Sequence, residues 1–199
     1  YWAIQGLGQP IRFLLEYLGL KYTDKQYTKY EDWAKDKAEL GFDFPNLPYL
    51  IVGDEKITES SAIIQYLPIL ANQPKLLGEN EKDKVKLNTL AGVIGDIRSE
   101  LGAISYGQYP DRAAFEARRE KGFQDKILPK LQQLEKFLGD KEYLLGYITY
   151  IDFIFFYILD VLLQLDGSKF ENLKGLKAYH ERFRNIPAIK AYLDAGKMP

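Results

Sequence analysis

Residues 43–70 read DFPNLPYLIVGDEKITESSAIIQYLPIL, and the fold is decided here. Residues 49–52 are a short apolar run that suits a strand. Gly53-Asp54 is a two-residue turn signal, and 56–58 is its hairpin partner. From Ser60 to Leu70 the apolar residues return at helical spacing. Working upstream, 32–40 reads as a short, charged helix ended by Gly41, 21–28 alternates weakly as a strand does, and 10–18 puts Ile11, Leu14, Leu15 and Leu18 on one helical face. Residues 1–4 read as a strand end. The order β-α-β-α-β-β-α is that of a small α/β domain over 1–70.

Downstream, residues 71–79 (ANQPKLLGE) hold Pro74 and Gly78 without periodicity and read as a linker. After Asn80 the strand signals stop. Leu87, Leu90, Ile94, Ile97, Leu101 and Ile104 step by 3, 4, 3, 4, 3, a bundle seam. Ile127, Leu131, Leu134 and Leu138 repeat that spacing, with Pro129 inside as a kink. Thr149 and Asp152 fit a capping box ahead of the apolar helix 152–165. Amphipathic 172–184 and a last helix at 187–195, opened by Pro187, complete an all-helical domain over 80–199.

Composition narrows the chemistry. The 199 residues carry 27 Lys plus Arg against 28 Asp plus Glu, a net charge of -1. This balance argues against a nucleic-acid groove or a polybasic membrane surface. Apolar 153–159 is bracketed by Asp152 and Asp160 and is far shorter than the roughly 20 residues of a membrane span. With no signal peptide visible, the cytoplasm is the default compartment. Cysteine is absent and histidine occurs once, at His180, which its charged surroundings assign to a surface or interface. Disulfides, thiolate metal sites and a Cys nucleophile are therefore excluded, and no metal site is expected. Against this stand 15 Tyr, so acid-base chemistry falls to Tyr, Asp, Glu, Lys, Arg or an imported cofactor.

Three stretches carry a family resemblance. Tyr1-Trp2-x-x-x-Gly6-Leu7 followed by Gln9-Pro10-Ile11-Arg12 resembles the first strand and helix of cytosolic glutathione transferases. Asp43-Phe44-Pro45-Asn46-Leu47-Pro48-Tyr49-Leu50 resembles their mu class, and Lys56 to Ile63 resembles the hairpin and helix that follow. The capping box at Thr149 also matches, so the likeness spans essentially the whole chain. It implies a thioredoxin-like N-terminal domain followed by a helical bundle, the glutathione transferase fold. In that family a few residues precede the tyrosine, so the first strand is expected to start upstream of Tyr1.

The resemblance also implies roles. Tyr1 would give its hydroxyl hydrogen to the glutathione sulfur. Trp2, Leu7, Trp33, Lys37, Asn46, Leu47, Glu59 and Ser60 would bind the tripeptide. Leu47, before a cis proline, would keep its backbone N–H and C=O free for the cysteinyl part. Ser60, capping the helix 60–70, and Glu59, where the family often has Gln, would take the γ-glutamyl end. Trp33 and Lys37 would take the glycyl end, with Tyr30 where an Arg is usual. Asp96 would reach the site of a second subunit and Phe44 would key into that subunit, giving a homodimer. Ile4, Leu7, Ser99, Gly102, Tyr106 and Met198 would line the pocket for a hydrophobic electrophile. The implied function is conjugation of glutathione, as cosubstrate, to such electrophiles. A non-catalytic carrier or structural member of the family, and a glutathione-dependent isomerase, are the alternatives.

Overall fold

The computed structural model describes residues 1–199, which divide by packing into two compact units, Tyr1–Leu77 with Arg184–Pro199, and Gly78–Phe183.

In the first unit, α1 (Gln9–Leu18) buries Ile11, Phe13, Leu14 and Leu15 and packs on α3 (Ser60–Leu70) and α9 (Pro187–Asp194). Between α1 and α3 lie α2 (Tyr30–Glu39) and the hairpin of β1 (Tyr49–Val52) and β2 (Glu55–Thr58). The hairpin is antiparallel, pairing Tyr49 with Thr58, Leu50 with Ile57, Ile51 with Lys56 and Val52 with Glu55. Helix α2 starts earlier than its apolar residues suggest because Glu31 and Asp32 sit in its first turn, where the helix dipole favours acids.

The two strands expected at 1–4 and 21–28 are the main departure. They are reduced to one parallel bridge, Trp2 to Tyr27, made by Ala3 N–H on Tyr27 O (2.9 Å) and Tyr27 N–H on Tyr1 O (2.8 Å).

The second unit is helical: α4 (Glu81–Ser105), α5 (Arg112–Gly122), α6 (Leu128–Leu138), α7 (Tyr150–Asp166) and most of α8 (Lys174–Arg184). All six seam residues of α4, Leu87 through Ile104, are buried, as are Ile127, Leu131, Leu134 and Leu138. Pro129 sits in the first turn of α6, and just upstream Phe123–Ile127 is wound as a π-helix, with Leu128 N–H reaching back to Phe123 O. Proline cannot give the regular N–H bond, so the chain absorbs the mismatch one turn earlier. Helix α7 is apolar nearly all round and buried accordingly.

The capping box at its start is present, and Asp152 accepts four hydrogen bonds, from Thr149 N–H (2.8 Å), Thr149 Oγ1–H (2.7 Å), Leu144 N–H (3.2 Å) and Tyr179 O–H (2.9 Å). His180 is a second departure. It is only 6% exposed, stacked on Phe156, with Nε2 at 2.9 Å from Asp160. The charged neighbours that suggested a surface position point elsewhere on α8, while His180 shares its buried face with Tyr179 and Phe183.

Candidate active site

Tyr1 is seated by glycines. Its ring lies against the 3-10 turn Gly6–Gly8, where a Cβ on Gly6 would come within 2.7 Å of the Tyr1 hydroxyl and one on Gly8 within 2.8 Å of the ring. Leu7 N–H donates to the Tyr1 hydroxyl oxygen at 3.2 Å. That bond uses an acceptor position of the phenol oxygen.

Tyr1 and Trp2 pack against a buried cluster of Tyr27, Trp33 and Leu47, which Tyr49 also joins. Four of the residues singled out from the sequence, Tyr1, Trp2, Trp33 and Leu47, thus meet in one place. Trp33 is the residue through which α2 is buried; it stacks on Tyr49 (6.2 Å, 21°) and meets Tyr27 edge-on (5.6 Å). Lys37, one turn further along α2, is exposed. The Tyr27 hydroxyl lies 2.9 Å from that of Tyr49 and donates to Asp36, which also accepts from Lys25. Burial and the bonded Asp36 push the Tyr27 hydroxyl pKa up, and Lys25 and Tyr27 hold the Asp36 carboxyl below its usual range. Tyr27, Tyr49 and Asp36 were not singled out from the sequence. Nothing in their spacing marks them; Tyr27 and Tyr49 are rings that Trp33 packs on, and Asp36 accepts from the Tyr27 hydroxyl.

At the turn before β1 the Leu47–Pro48 bond is cis. The Leu47 N–H is not open, as had been expected: Asn46 Oδ1 accepts it at 2.9 Å. The amide of an exposed asparagine one residue back in the chain reaches this donor with little loss of freedom. The other end of the same amide, Nδ2–H, donates to Glu59 Oε1 at 3.1 Å. Glu59 holds φ at +66°, a left-handed value that non-glycine residues rarely take and that tends to occur at functional sites. Ser60 does not cap α3, contrary to the sequence expectation. Glu59 is the cap residue, its carbonyl accepting Ala62 N–H and Ile63 N–H, and Ser60 is the first helical residue. With no side chain capping α3, its first N–H groups are available to an anion.

In the second unit Asp96, on α4, is 64% exposed and pairs with Lys130 of α6 at 2.8 Å. Ser99 Oγ–H is turned back onto Gly95 O at 2.8 Å, and beyond the backbone of its own helix nothing lies within 4 Å of where a Gly102 Cβ would stand. Tyr106 follows the last turn of α4 and is 77% exposed, as is Phe44 in the first unit; Ile4 is also exposed and Leu7 half-buried. No group of three or more Asp, Glu or His is placed to hold a metal ion.

The chain as a whole is similar to known proteins. The family model described as glutathione S-transferase, N-terminal domain, matches residues 1–68, and that of the C-terminal domain matches 95–196. The chain is 38% identical over 200 residues to the glutathione S-transferase class-mu 26 kDa isozyme of Schistosoma japonicum, covering 99% of this chain and 88% of that protein. It is 35% identical over 206 residues to glutathione S-transferase Mu 4 of Mus musculus, covering 99% and 90%. The solved structure of the glutathione S-transferase Blo t 8 superposes with a TM-score of 0.87 at 30% identity, over 98% of this chain and 90% of that one. A thioredoxin-like first domain and a helical second one, with relatives matched over nearly the whole chain, fix the family: the chain belongs to the glutathione S-transferases, is related to their mu class, and is an enzyme that conjugates glutathione, its cosubstrate.

Proposed function

We propose that Tyr1 is the group that holds the glutathione sulfur as a thiolate. The observation that carries this reading is the seating of the Tyr1 ring on Gly6 and Gly8, with Leu7 N–H on the hydroxyl oxygen. An N–H on the phenol oxygen draws electron density from it and strengthens the O–H as a donor. Glutathione supplies the sulfur nucleophile. A free thiol has a pKa of roughly 8.5, so about 3% is ionised at pH 7. A hydrogen bond to a charged acceptor is worth about 1.5–3 kcal/mol, which lowers that pKa by roughly 1–2 units. The less basic thiolate is also a weaker nucleophile, with a Brønsted slope of about 0.4–0.5, so activation alone gains only several-fold. The rest of the rate comes from holding nucleophile and electrophile together.

The remaining roles follow the chemistry of the side chains. Leu47 offers backbone pairing to the cysteinyl part, Glu59 a carboxylate to the γ-glutamyl ammonium, and the N-terminus of α3 at Ser60 its amides to the α-carboxylate. Trp33 and Lys37 take the glycyl carboxylate, and Trp2 and Leu7 close the tyrosine side. Asp96 serves the site of a second copy, and the exposed Phe44 inserts into that copy, making the protein a homodimer. Ile4, Leu7, Ser99, Gly102 and Tyr106 receive the hydrophobic electrophile, with the Tyr106 hydroxyl as a donor to developing negative charge. The cytoplasm is the compartment this reading assigns, and no helix is long and apolar enough to cross a membrane.

The test is conjugation of glutathione to a chlorinated nitrobenzene by the wild type and by Tyr1→Phe, which keeps the ring on its glycines. The variant should be several-fold slower at pH 7, with the gap closing above about pH 9, where a free thiol is itself largely ionised. A phenylalanine variant as fast as wild type at pH 7 would remove Tyr1 from the role.

A further inference from the structure

Where α4 ends, one side chain meets its last carbonyls. The Tyr109 hydroxyl donates to Ile104 O at 2.9 Å, with Ala103 O beside it at 3.4 Å. Tyr106 N–H takes Gly102 O at 2.9 Å. Together these bonds occupy carbonyls that a helix end otherwise leaves to water. A hydroxyl hydrogen is also favoured at the negative end of the helix dipole. The chain between must fold back tightly. A Cβ on Gly107 would run into the Tyr109 hydroxyl and stand 2.9 Å from Ala103 O. The Tyr109 ring meets Phe115 of α5 edge-on, at 5.4 Å. One phenol thus fastens the segment between α4 and α5 to both helices.

Tyr106 stands inside that fastened segment, one residue past the end of α4. We propose that Tyr109 is a positioning residue for the electrophile: latched on the end of α4, it fixes where the Tyr106 hydroxyl stands. The proposal rests on the reading of Tyr106 as a donor to developing negative charge. The Tyr106 side chain is 77% exposed, so little packing holds it, and its place follows from the backbone beneath it. That backbone has two anchors, the Tyr106 N–H on one side and the Tyr109 hydroxyl on the other. A donor displaced by about 1 Å from a developing charge loses much of its effect on the rate. If Tyr109 were only a cap on α4, its loss would act by the same factor whether or not position 106 carries a hydroxyl. If it positions Tyr106, its loss acts only through that hydroxyl.

The experiment measures conjugation of glutathione to benzylideneacetone, an unsaturated ketone whose oxygen gains negative charge as the sulfur adds. It compares wild type, Tyr109→Phe, Tyr106→Phe and the double variant. Tyr109→Phe keeps the ring on Phe115 and loses the latch. It should lower kcat about three- to tenfold. The KM for glutathione should not move, because the groups this chain offers its own tripeptide lie in the first unit. In the Tyr106→Phe background, Tyr109→Phe should cost nothing more. Gly107→Ala, which puts a methyl group where the Tyr109 hydroxyl sits, should reproduce the loss of kcat with Tyr109 unchanged. A Tyr109→Phe variant as fast as wild type, or one that slows Tyr106→Phe by the factor it slows wild type, would overturn the latch. If Tyr109→Phe does not fold, Gly107→Ala with and without Tyr106→Phe decides by the same comparison. A Tyr106→Phe variant as fast as wild type would instead overturn the reading of Tyr106.

Discussion

At the scale of single residues, the site depends on what is missing from Gly6 and Gly8 as much as on what Tyr1 carries. Gly6 has φ at +40°, and a methyl group there would stand 2.7 Å from the Tyr1 hydroxyl. Gly6→Ala should therefore cost about 1–3 kcal/mol of stability by strain and crowding. It should also depress conjugation, because the ring must shift off its Leu7 bond. Gly92→Ala, in α4 with nothing within 4 Å, is the control, and should be neutral or stabilising by up to about 1 kcal/mol. Urea unfolding and the conjugation assay check both. Tyr1, Trp33, Asn46, Leu47 and Glu59 could be picked out in the sequence because they sit in recognisable strings. Tyr27 and Asp36 could not. A hydroxyl-to-carboxylate bond between residues nine apart leaves no mark in composition or periodicity, and Tyr27 is one of 15 tyrosines. The link from Asn46 to Glu59 was hidden for the same reason: the two lie on either side of the hairpin.

At the scale of elements, periodicity was a good guide where helices bury a continuous stripe and a poor one elsewhere. The seams of α4 and α6 were plain. Helix α5 was missed, since RAAFEARREKG offers no apolar period; it is fixed by Asp111, whose side chain accepts Ala114 N–H at 2.8 Å, and by Glu100, which pairs with Arg118 at 2.6 Å. Of the strand expected at 21–28, Tyr27 makes the pairing that is present, a parallel bridge to Trp2. Glu100 leads to a prediction. Its carboxylate is nearly buried, and hydrogen bonds from Arg118 and Lys126 hold its pKa below the ordinary 4.5. The unfolded chain thus takes up this proton at higher pH than the folded one does. The stability contributed is complete above pH 4.5 and is lost as pH falls through the lower folded value. Glu100→Gln should cost roughly 1–3 kcal/mol at pH 7, where wild type has the full pair. The difference should shrink on acidification below the ordinary value. Denaturant titrations from neutral to acid pH measure it, and a difference that is flat across that range would contradict the assignment.

At the scale of the whole molecule, a chain without cysteine and with a single buried histidine performs sulfur chemistry by taking its sulfur from a cosubstrate. Its near-zero net charge fits the recognition of a small zwitterion by a few placed groups. The two-domain order was readable from the loss of strand signals after Asn80. That the last helix packs with the first unit was not, because nothing in the apolar pattern of Pro187–Asp194 says which surface it covers. Assembly gives another test. Phe44 is 77% exposed in the single chain, and under the homodimer proposed above Phe44→Ser should shift sedimentation from dimer toward monomer. An unchanged dimer would remove Phe44 as the key. Whether the Tyr1 hydroxyl stabilises a thiolate is tested most directly by titrating enzyme-bound glutathione through its thiolate absorbance. Wild type should show the bound thiol ionising about 1–2 units below the free value of about 8.5, and Tyr1→Phe should return it to near that value. The same lowered pKa in both proteins would contradict the account.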